Sequence, residues 1–262
     1  MAEVIANSVI SSLNWSPMRV LLLTQPQRDA LDPAYSHFVD CVGDGVPAAD
    51  EEGQIALSAI RVVTDPKVAV DEYLKMFRGG PEDSCCIWCL TNAAVDEHNA
   101  AILERMQGKV LRFYSFNRIS SEDKTSHQNL LSTDFMAQIQ QAGVPPHVLT
   151  LKIGCVCTVE RNLLLNEKVA HNTKVILQRV ANHYLEVLNP VTKRRHLIPR
   201  ITFQMRVPKT SLTFTRRQYP LRAAYAITVN KSQGQTLSNA ILDLRTEPFS
   251  HGQVYVALSR VK

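Results

Sequence analysis

An α/β chain built on a parallel sheet, with a small antiparallel β-barrel inserted in it, is the fold class the sequence predicts. Three observations carry that expectation. Short apolar runs lead through capped turns into amphipathic helices, a stretch from about Leu149 to Ile198 changes to closely spaced β-rich pieces, and the α/β texture then resumes. The 262 residues, 45% hydrophobic and 20% charged, suffice for one large domain or two small ones and exclude a disordered or collagen-like chain.

Residues 19–24 (RVLLLT) lie between Pro17 and Pro26 and have the length and composition of a strand buried on both faces. The helix after it opens at Asp32, an N-cap followed by a proline at the first helical position. Tyr35, Phe38, Val39 and Val42 share one face, and Gly43 supplies the stop. Residues 44–60, polar, acidic and punctuated by Gly and Pro, predict a surface loop. Residues 68–72 (VAVDE) imitate a strand ending in a Mg²⁺-binding acidic pair, but read as a helix face. Residues 85–90 (CCIWCL) form the next strand. Thr91 or Asn92 caps the helix that follows, with Val95, Ile102 and Met106 along one side and Gly108 at its end. Residues 134–142 predict a further helix with Phe135, Ile139 and Ala142 on one face, ended by Gly143 and Pro145-Pro146.

The β-rich pieces are 151–153 (LKI), 175–177 (VIL), 184–188 (YLEVL) and 196–198 (HLI), separated by Asn, Pro and basic turns. After them come a strand over 223–229, a polar loop over 230–235, a strand over 240–244 and a helix opening at Ser250.

The net charge of +5 hides an asymmetry. Residues 190–262 hold 13 Lys/Arg against two acids, net +11, and residues 1–189 hold 16 against 22, net −6. Such a block fits a polyanion partner or, equally, a basic solvated face. No apolar run approaches the roughly 18 residues needed to cross a bilayer, and the first 15 residues lack the basic start and long apolar stretch of a secretory signal, so an intracellular protein with no membrane partner is expected. Cysteines 41, 85, 86, 89, 155 and 157 are too bunched for a disulfide framework, and reduced thiols are the default. Cys86-x-x-Cys89 with Cys155-x-Cys157 is a weak match to a four-thiolate zinc site, because the second spacing is short and residues 85–90 are apolar enough for a core strand. No metal ligand set is expected. The pairs Arg194-Arg195 and Arg216-Arg217 read as solvated basics.

Chemistry concentrates at residues 230–236 (NKSQGQT), directly after a strand end, where α/β sheets place ligands. Gly234 permits close backbone approach to an anion, Ser232 and Thr236 offer hydroxyls, Gln233 and Gln235 amides, and Lys231 a charge; by composition alone the same residues also suit an unliganded polar turn. Residues 249–260 (FSHGQVYVALSR) follow closely. AYAITVNKSQGQTL and FSHGQVYVALSRV resemble motifs V and VI of superfamily-one DNA helicases, specifically the petite-integration-frequency (Pif) type and its relatives in Helitron rolling-circle transposons. Further pieces match in order: WSPMRVLLLTQPQR, DPAYSHFVDCVGDG, LTNAAVDEHNAAIL, GVPPHVLTLKIG and TFTRRQYPLRAAYAITVNKSQGQTL, so the resemblance covers about Trp15 to Lys262.

The resemblance implies a RecA-like (P-loop NTPase-type) parallel-sheet lobe, the second of two that clamp ATP and pass single-stranded DNA across their top. That lobe would comprise residues 17–145 and 210–262, with a Src-homology-like barrel at 146–209 and residues 1–16 preceding it. It further implies that Arg260 is the arginine finger and Arg28 a second arginine on the γ-phosphate. Gly234 and Gln235 would face the nucleotide, and Thr91, Asn92, Thr228, Asn230, Lys231, Ser232 and Gln233 would contact DNA. A guanidinium fork neutralises charge spreading over phosphoryl oxygens, worth about 10³ to 10⁵ in rate. By the same resemblance the complete enzyme would use ATP and Mg²⁺, act in the nucleus in DNA repair, recombination or telomere maintenance, and step 5′ to 3′.

None of the ten glycines begins the phosphate cradle G-x-x-x-x-G-K-[ST]: Gly108-Lys109 continues with Val110 and has Leu103 where the first glycine belongs. The chain is therefore expected to be a fragment that hydrolyses no nucleotide and binds no cofactor tightly alone, the first lobe coming from a missing N-terminal part or another chain. A non-enzymatic single-stranded-DNA-binding remnant and an inactive decayed transposon product are the alternatives. Two departures stand out where relatives read approximately VGAPVMLLRN and CNGT. Asn172 replaces a glycine, which suits a left-handed position, and Glu160 puts an acid on a strand expected to be half buried, so a rearranged or weakened barrel is expected. Asn230 stands where many superfamily-one motors carry histidine.

Overall fold

The computed structural model describes residues 11–12, 15, 17–19, 21, 32–45, 60–77, 85–119, 132–210, 212–233, 237–248, 250 and 252–261. Strand β1 (Cys85–Cys89) is buried at every residue, so both of its faces are covered. Among the described residues it is the middle of a three-stranded parallel sheet, flanked by β12 (Ala226–Thr228) and β13 (Asn239–Asp243), with Cys89 opposite both Thr228 and Asp243. Alternate side chains point to opposite faces. Cys85, Ile87 and Cys89 join one core with Val70 and Tyr73 of helix α2 (Pro66–Met76) and Val95 and Ile102 of α3 (Asn92–Arg105). Cys86, Trp88 and Leu90 join another with Ile227, Val229, Leu237 and Ala257 of α5 (Gln253–Leu258). That double coverage is why residues 85–90 read as an unbroken apolar run.

The buried Asn99 of α3 fixes that helix to the sheet edge. Its Nδ2 donates to the Ala226 carbonyl at 3.0 Å, and its Oδ1 accepts from the backbone N–H groups of Tyr225 and Ala226 at 3.0 and 2.9 Å. A single amide thereby satisfies polar groups that an edge strand would otherwise leave exposed to a dry core.

Helix α1 (Pro33–Asp44) starts as predicted, the Asp32 carboxylate accepting from the Tyr35 N–H at 3.0 Å. Its stop lies two residues beyond Gly43, at Gly45 (φ +69°), whose N–H bonds the Cys41 carbonyl. Gly43 has a different purpose: a Cβ there would sit 2.8 Å from the Tyr255 ring, so the missing side chain lets α1 and α5 meet. The Tyr35 hydroxyl completes that contact by donating to the Leu258 carbonyl at 2.9 Å. VAVDE is part of α2, as expected.

The antiparallel part has five strands in the order β11-β5-β6-β7-β8: β5 (Val156–Val159), β6 (Lys174–Val180), β7 (Tyr184–Leu188), β8 (Arg195–Pro199) and β11 (Leu221–Ala223). A second sheet runs β3 (Phe116–Ile119), β10 (Thr213–Gln218), β9 (Ile201–Arg206), and β2 (Leu111–Tyr114) pairs with β4 (Val148–Leu151). Strands from both sides of 146–209 thus take part in this pairing, and the bounds at 146 and 209 fall at no break in it.

Besides Gly43, other expectations need correction; α3 ends at Arg105 with Met106 as its cap, two residues before Gly108. The strand over 223–229 is two strands, because the chain leaves the antiparallel sheet at Ala223 and enters the parallel one at Ala226. The helix over 134–142 is the single short α4 (Thr133–Gln138), which buries Met136 and leaves Phe135 44% exposed. Arg216 is buried, its guanidinium donating to the Met136 carbonyl at 2.6 Å, Pro145 at 3.4 Å and the Asn117 side chain at 3.1 Å, so it closes α4 onto β10 while Arg217 alone is solvated. Asn172 is left-handed as expected (φ +66°). The strand at 19–24 and the loop at 44–60 lie largely outside the described residues.

Asn99→Leu keeps the branched side-chain shape and removes the amide, leaving buried backbone groups without partners. It is expected to lower unfolding stability by about 3 kcal/mol in urea titration, and a loss under about 1 kcal/mol would contradict the clamp.

Candidate nucleic-acid interface

The carboxyl ends of β1 and β12 lie side by side, since Cys89 pairs with Thr228, and the chain turns away differently at each. After β1, the Thr91 hydroxyl accepts from the Ala94 N–H at 3.3 Å and caps α3, leaving Asn92 exposed in the first turn. After β12 a 3-10 turn, Val229–Ser232, reverses the chain. Ser232 is fully buried and its hydroxyl donates to the Val229 carbonyl at 2.6 Å, so it shapes the turn from within. Asn230 and Gln233 are exposed, and Nε2 of the buried Gln253 donates to the Asn230 side-chain Oδ1 at 3.5 Å, tying the turn to the start of α5.

Asn92, Thr228 and Lys231 share a narrow cleft with Thr158 of β5 and Arg222 of β11. Both cations have acid partners. The Lys231 ammonium lies 3.2 and 3.3 Å from the two Glu160 carboxylate oxygens, and Arg222 Nη2 is 2.5 Å from Asp96. Glu160, the acid at a position expected to be apolar, is therefore buried as one half of an ion pair.

Such pairs redistribute the charge seen along the sequence. Arg195 meets Glu186, Arg222 meets Asp96, Lys231 meets Glu160 and Arg245 meets Glu97, each joining a cation of residues 190–262 to an acid of residues 1–189. Arg216 is buried and Arg200 lies 4.5 Å over the Tyr219 ring. Much of the basic block is thus engaged internally, and its value to a polyanion is local to the cleft.

At the end of β13, Asp243 receives His98 Nε2 at 2.8 Å and Arg245 Nη2 at 2.7 Å. Cys89, His98 and Asp243 are close enough to suggest a metal centre, but the Arg245 guanidinium, also 3.3 Å from His98 Nε2, already supplies the cation. Among the described residues no cluster joins Cys86 and Cys89 to Cys155 and Cys157, and none of the six cysteines is in a disulfide. Burial pushes the Cys86 thiol up to about 11, so it stays protonated.

Arg260 follows α5 in a turn where its carbonyl accepts from the Leu237 N–H at 3.0 Å and its own N–H bonds Ala257 at 3.1 Å. Arg28, Gly234 and Gln235 lie outside the described residues. Arg222 and Gln253 are site residues that sequence reasoning did not single out, and Glu160 stood out only as an acid at a position expected to be apolar. Arg222 carried a signal too, as the one cation in the apolar stretch leading into the 230–236 loop.

No protein-family model matches the chain. The ATP-dependent DNA helicase Pif1 of Campylobacter jejuni is 24% identical over 196 residues, 68% of this chain and 40% of that protein. The ATP-dependent DNA helicase PIF6 of Trypanosoma brucei brucei is 42% identical over 66 residues, 25% of this chain and 8% of that one. The crystal structure of Pif1 helicase from Candida albicans has a TM-score of 0.62 at 20% identity, covering 96% of this chain and 57% of its own. The chain is similar in sequence to Pif1-type ATP-dependent DNA helicases. It shares their RecA-like α/β fold, as Bacteroides Pif1 bound to single-stranded DNA also indicates, with a TM-score of 0.57 at 17% identity over 88% of this chain and 47% of that one. In each case the match takes in little more than half of the Pif1-type relative, or less. No helix among the described residues is long and apolar enough to cross a membrane.

Burial alone would push the Asp243 carboxyl up, but hydrogen bonds from His98 and Arg245 outweigh it and hold the group well below the ordinary carboxylate range. With the folded value below the unfolded one, Asp243 contributes stability that is complete above its ordinary value of 3.8 and is lost as pH falls toward the folded value. Between about pH 5 and pH 2 the wild type should lose more stability than Asp243→Asn in urea unfolding. Parallel losses would show that the cluster is not coupled to folding.

Proposed function

We propose that this chain is the second RecA-like motor half of an ATP-dependent DNA helicase of the Pif type, moving 5′ to 3′, and that the strand-end cleft holds the backbone of single-stranded DNA. One observation carries the reading. On a fold shared with Pif1-type helicases, the adjacent strand ends place the exposed Asn92 amide, the Thr228 hydroxyl and the cations Lys231 and Arg222 around one cleft, and the turn after Thr228 leaves Asn230 and Gln233 exposed. Neutral donors and paired cations, with no aromatic among the described residues that line the cleft, suit a sugar-phosphate track read without regard to base.

Each group has a task in this reading. Asn92, Asn230 and Gln233 donate amide hydrogens to phosphate oxygens, Thr228 adds a hydroxyl, and Arg222 and Lys231 supply charge. Thr91 and Ser232 act from behind, Thr91 by capping α3 and Ser232 by closing the turn. Gln253 links this turn to the helix before Arg260, so that a shift of DNA in the cleft and a shift of the guanidinium are mechanically joined. Arg260 is the residue proposed to reach a triphosphate, with Arg28, Gly234 and Gln235 beside it; ATP with Mg²⁺ would bring the phosphoryl group whose developing charge such a fork neutralises. No stretch of these 262 residues reads G-x-x-x-x-G-K-[ST], so the cradle for that nucleotide belongs to other residues, in the same longer polypeptide or in another chain. A protein with this task works where DNA is, which in a eukaryotic cell is chiefly the nucleus.

The same absent cradle favours a second reading, a non-enzymatic single-stranded-DNA-binding protein. Both predict that the purified chain binds oligothymidine with an affinity that falls with salt, the log–log slope being about −0.7 per phosphate contacted. A flat salt response would overturn both. The motor reading adds that a supplied first lobe restores DNA-stimulated ATP hydrolysis and that Arg260→Ala reduces it by about 10³-fold or more. Robust hydrolysis by the 262 residues alone, abolished by Arg260→Ala, would contradict it.

A further inference from the structure

We infer that Glu160 is a built-in counter-anion that competes with single-stranded DNA for Lys231 and withholds its charge, so that the antiparallel sheet holds down the affinity of the strand-end cleft. This rests on the reading of the cleft as a nucleic-acid site. Glu160 follows β5 directly and is 1% exposed; its backbone N–H is fixed to the Pro220 carbonyl at 2.9 Å, and both carboxylate oxygens face the Lys231 ammonium. Lys231 keeps 27% of its side chain exposed, so its charge reaches the cleft while its partner is sealed from water.

That asymmetry decides what an arriving phosphate meets. A sealed carboxylate gains no hydration when its lysine turns away, and removing the partner of a buried charge is far more costly than opening an exposed pair. Lys231 is thus held by Glu160 and its charge is cancelled locally. Arg222 is the comparison within the same cleft: its partner Asp96 is 48% exposed, and water can hydrate that carboxylate when a phosphate takes the guanidinium. DNA should therefore find Arg222 available and Lys231 largely neutralised.

The test is fluorescence anisotropy with labelled oligothymidine across a salt series, using the full chain. Glu160→Gln keeps shape and hydrogen bonding while removing the charge. It should bind at least about threefold more tightly, with the log–log salt slope steeper by about 0.7, one additional phosphate contact. Combining it with Lys231→Gln should return affinity and slope to the wild-type values, and Asp96→Asn should change affinity less than about twofold. Glu160→Met, close in volume and uncharged, gives the same reading by a second route, and thermal unfolding verifies that each variant is folded. If the wild type binds and folded Glu160→Gln binds equally or more weakly, Glu160 positions Lys231 and the competition is refuted. If neither wild type nor variant binds oligothymidine, the nucleic-acid reading fails and this inference with it.

Discussion

The Asn99 amide is the constraint on which the arrangement of the strand ends depends. Among the described residues β12 is an edge strand of only three residues, entered directly from a different sheet, and by itself has little to fix its position. Asn99 bonds the backbone of Tyr225 and Ala226 from α3, the helix that begins at the end of β1. A helix started by one strand is thus the brace for its neighbour, and the turns after the two strands are held at a fixed separation. Buried polar groups with every partner in place favour one arrangement over its near alternatives, because any slip leaves several of them unsatisfied at once.

Around that brace, ion pairs join parts of the chain that are distant in sequence. Asp243, His98, Arg245 and Glu97 lock β13 to α3, and Glu160 with Lys231 locks the end of β5 to the turn after β12. The first cluster lies at the opposite edge of the parallel sheet from β12 and is fully engaged with itself. The second borders the cleft, where an ion pair that steadies the fold also consumes charge a ligand could use. Stability and affinity draw on the same lysine.

Much of this was legible in the sequence. The run at 85–90, the Thr91 cap and the Asp32-Pro33 start are local signals, fixed by chemistry within a few residues, and the structure has all three. What escaped was set by partners far along the chain. Gly43 resembles a helix stop until Tyr255 is placed against it. Arg216 resembles half of a solvated pair until the carbonyls of α4 surround it. Residues 223–229 look like one strand because the change of sheet at Ala224-Tyr225 leaves no polar or glycine mark. Glu160 appeared misplaced because Lys231, 71 positions away, is invisible to any local pattern. The site was legible as a motif; its partners and its net charge were not.

The central claim, that the carboxyl ends of β1 and β12 form one working surface, is tested most directly by two-dimensional amide NMR of the chain titrated with oligothymidine. The account predicts that the amides of Asn92, Thr228, Asn230 and Lys231 shift together along one binding curve, with the Arg222 side chain following them. Shifts confined to the β7 and β8 edge of the antiparallel sheet, with the strand ends unmoved, would contradict it.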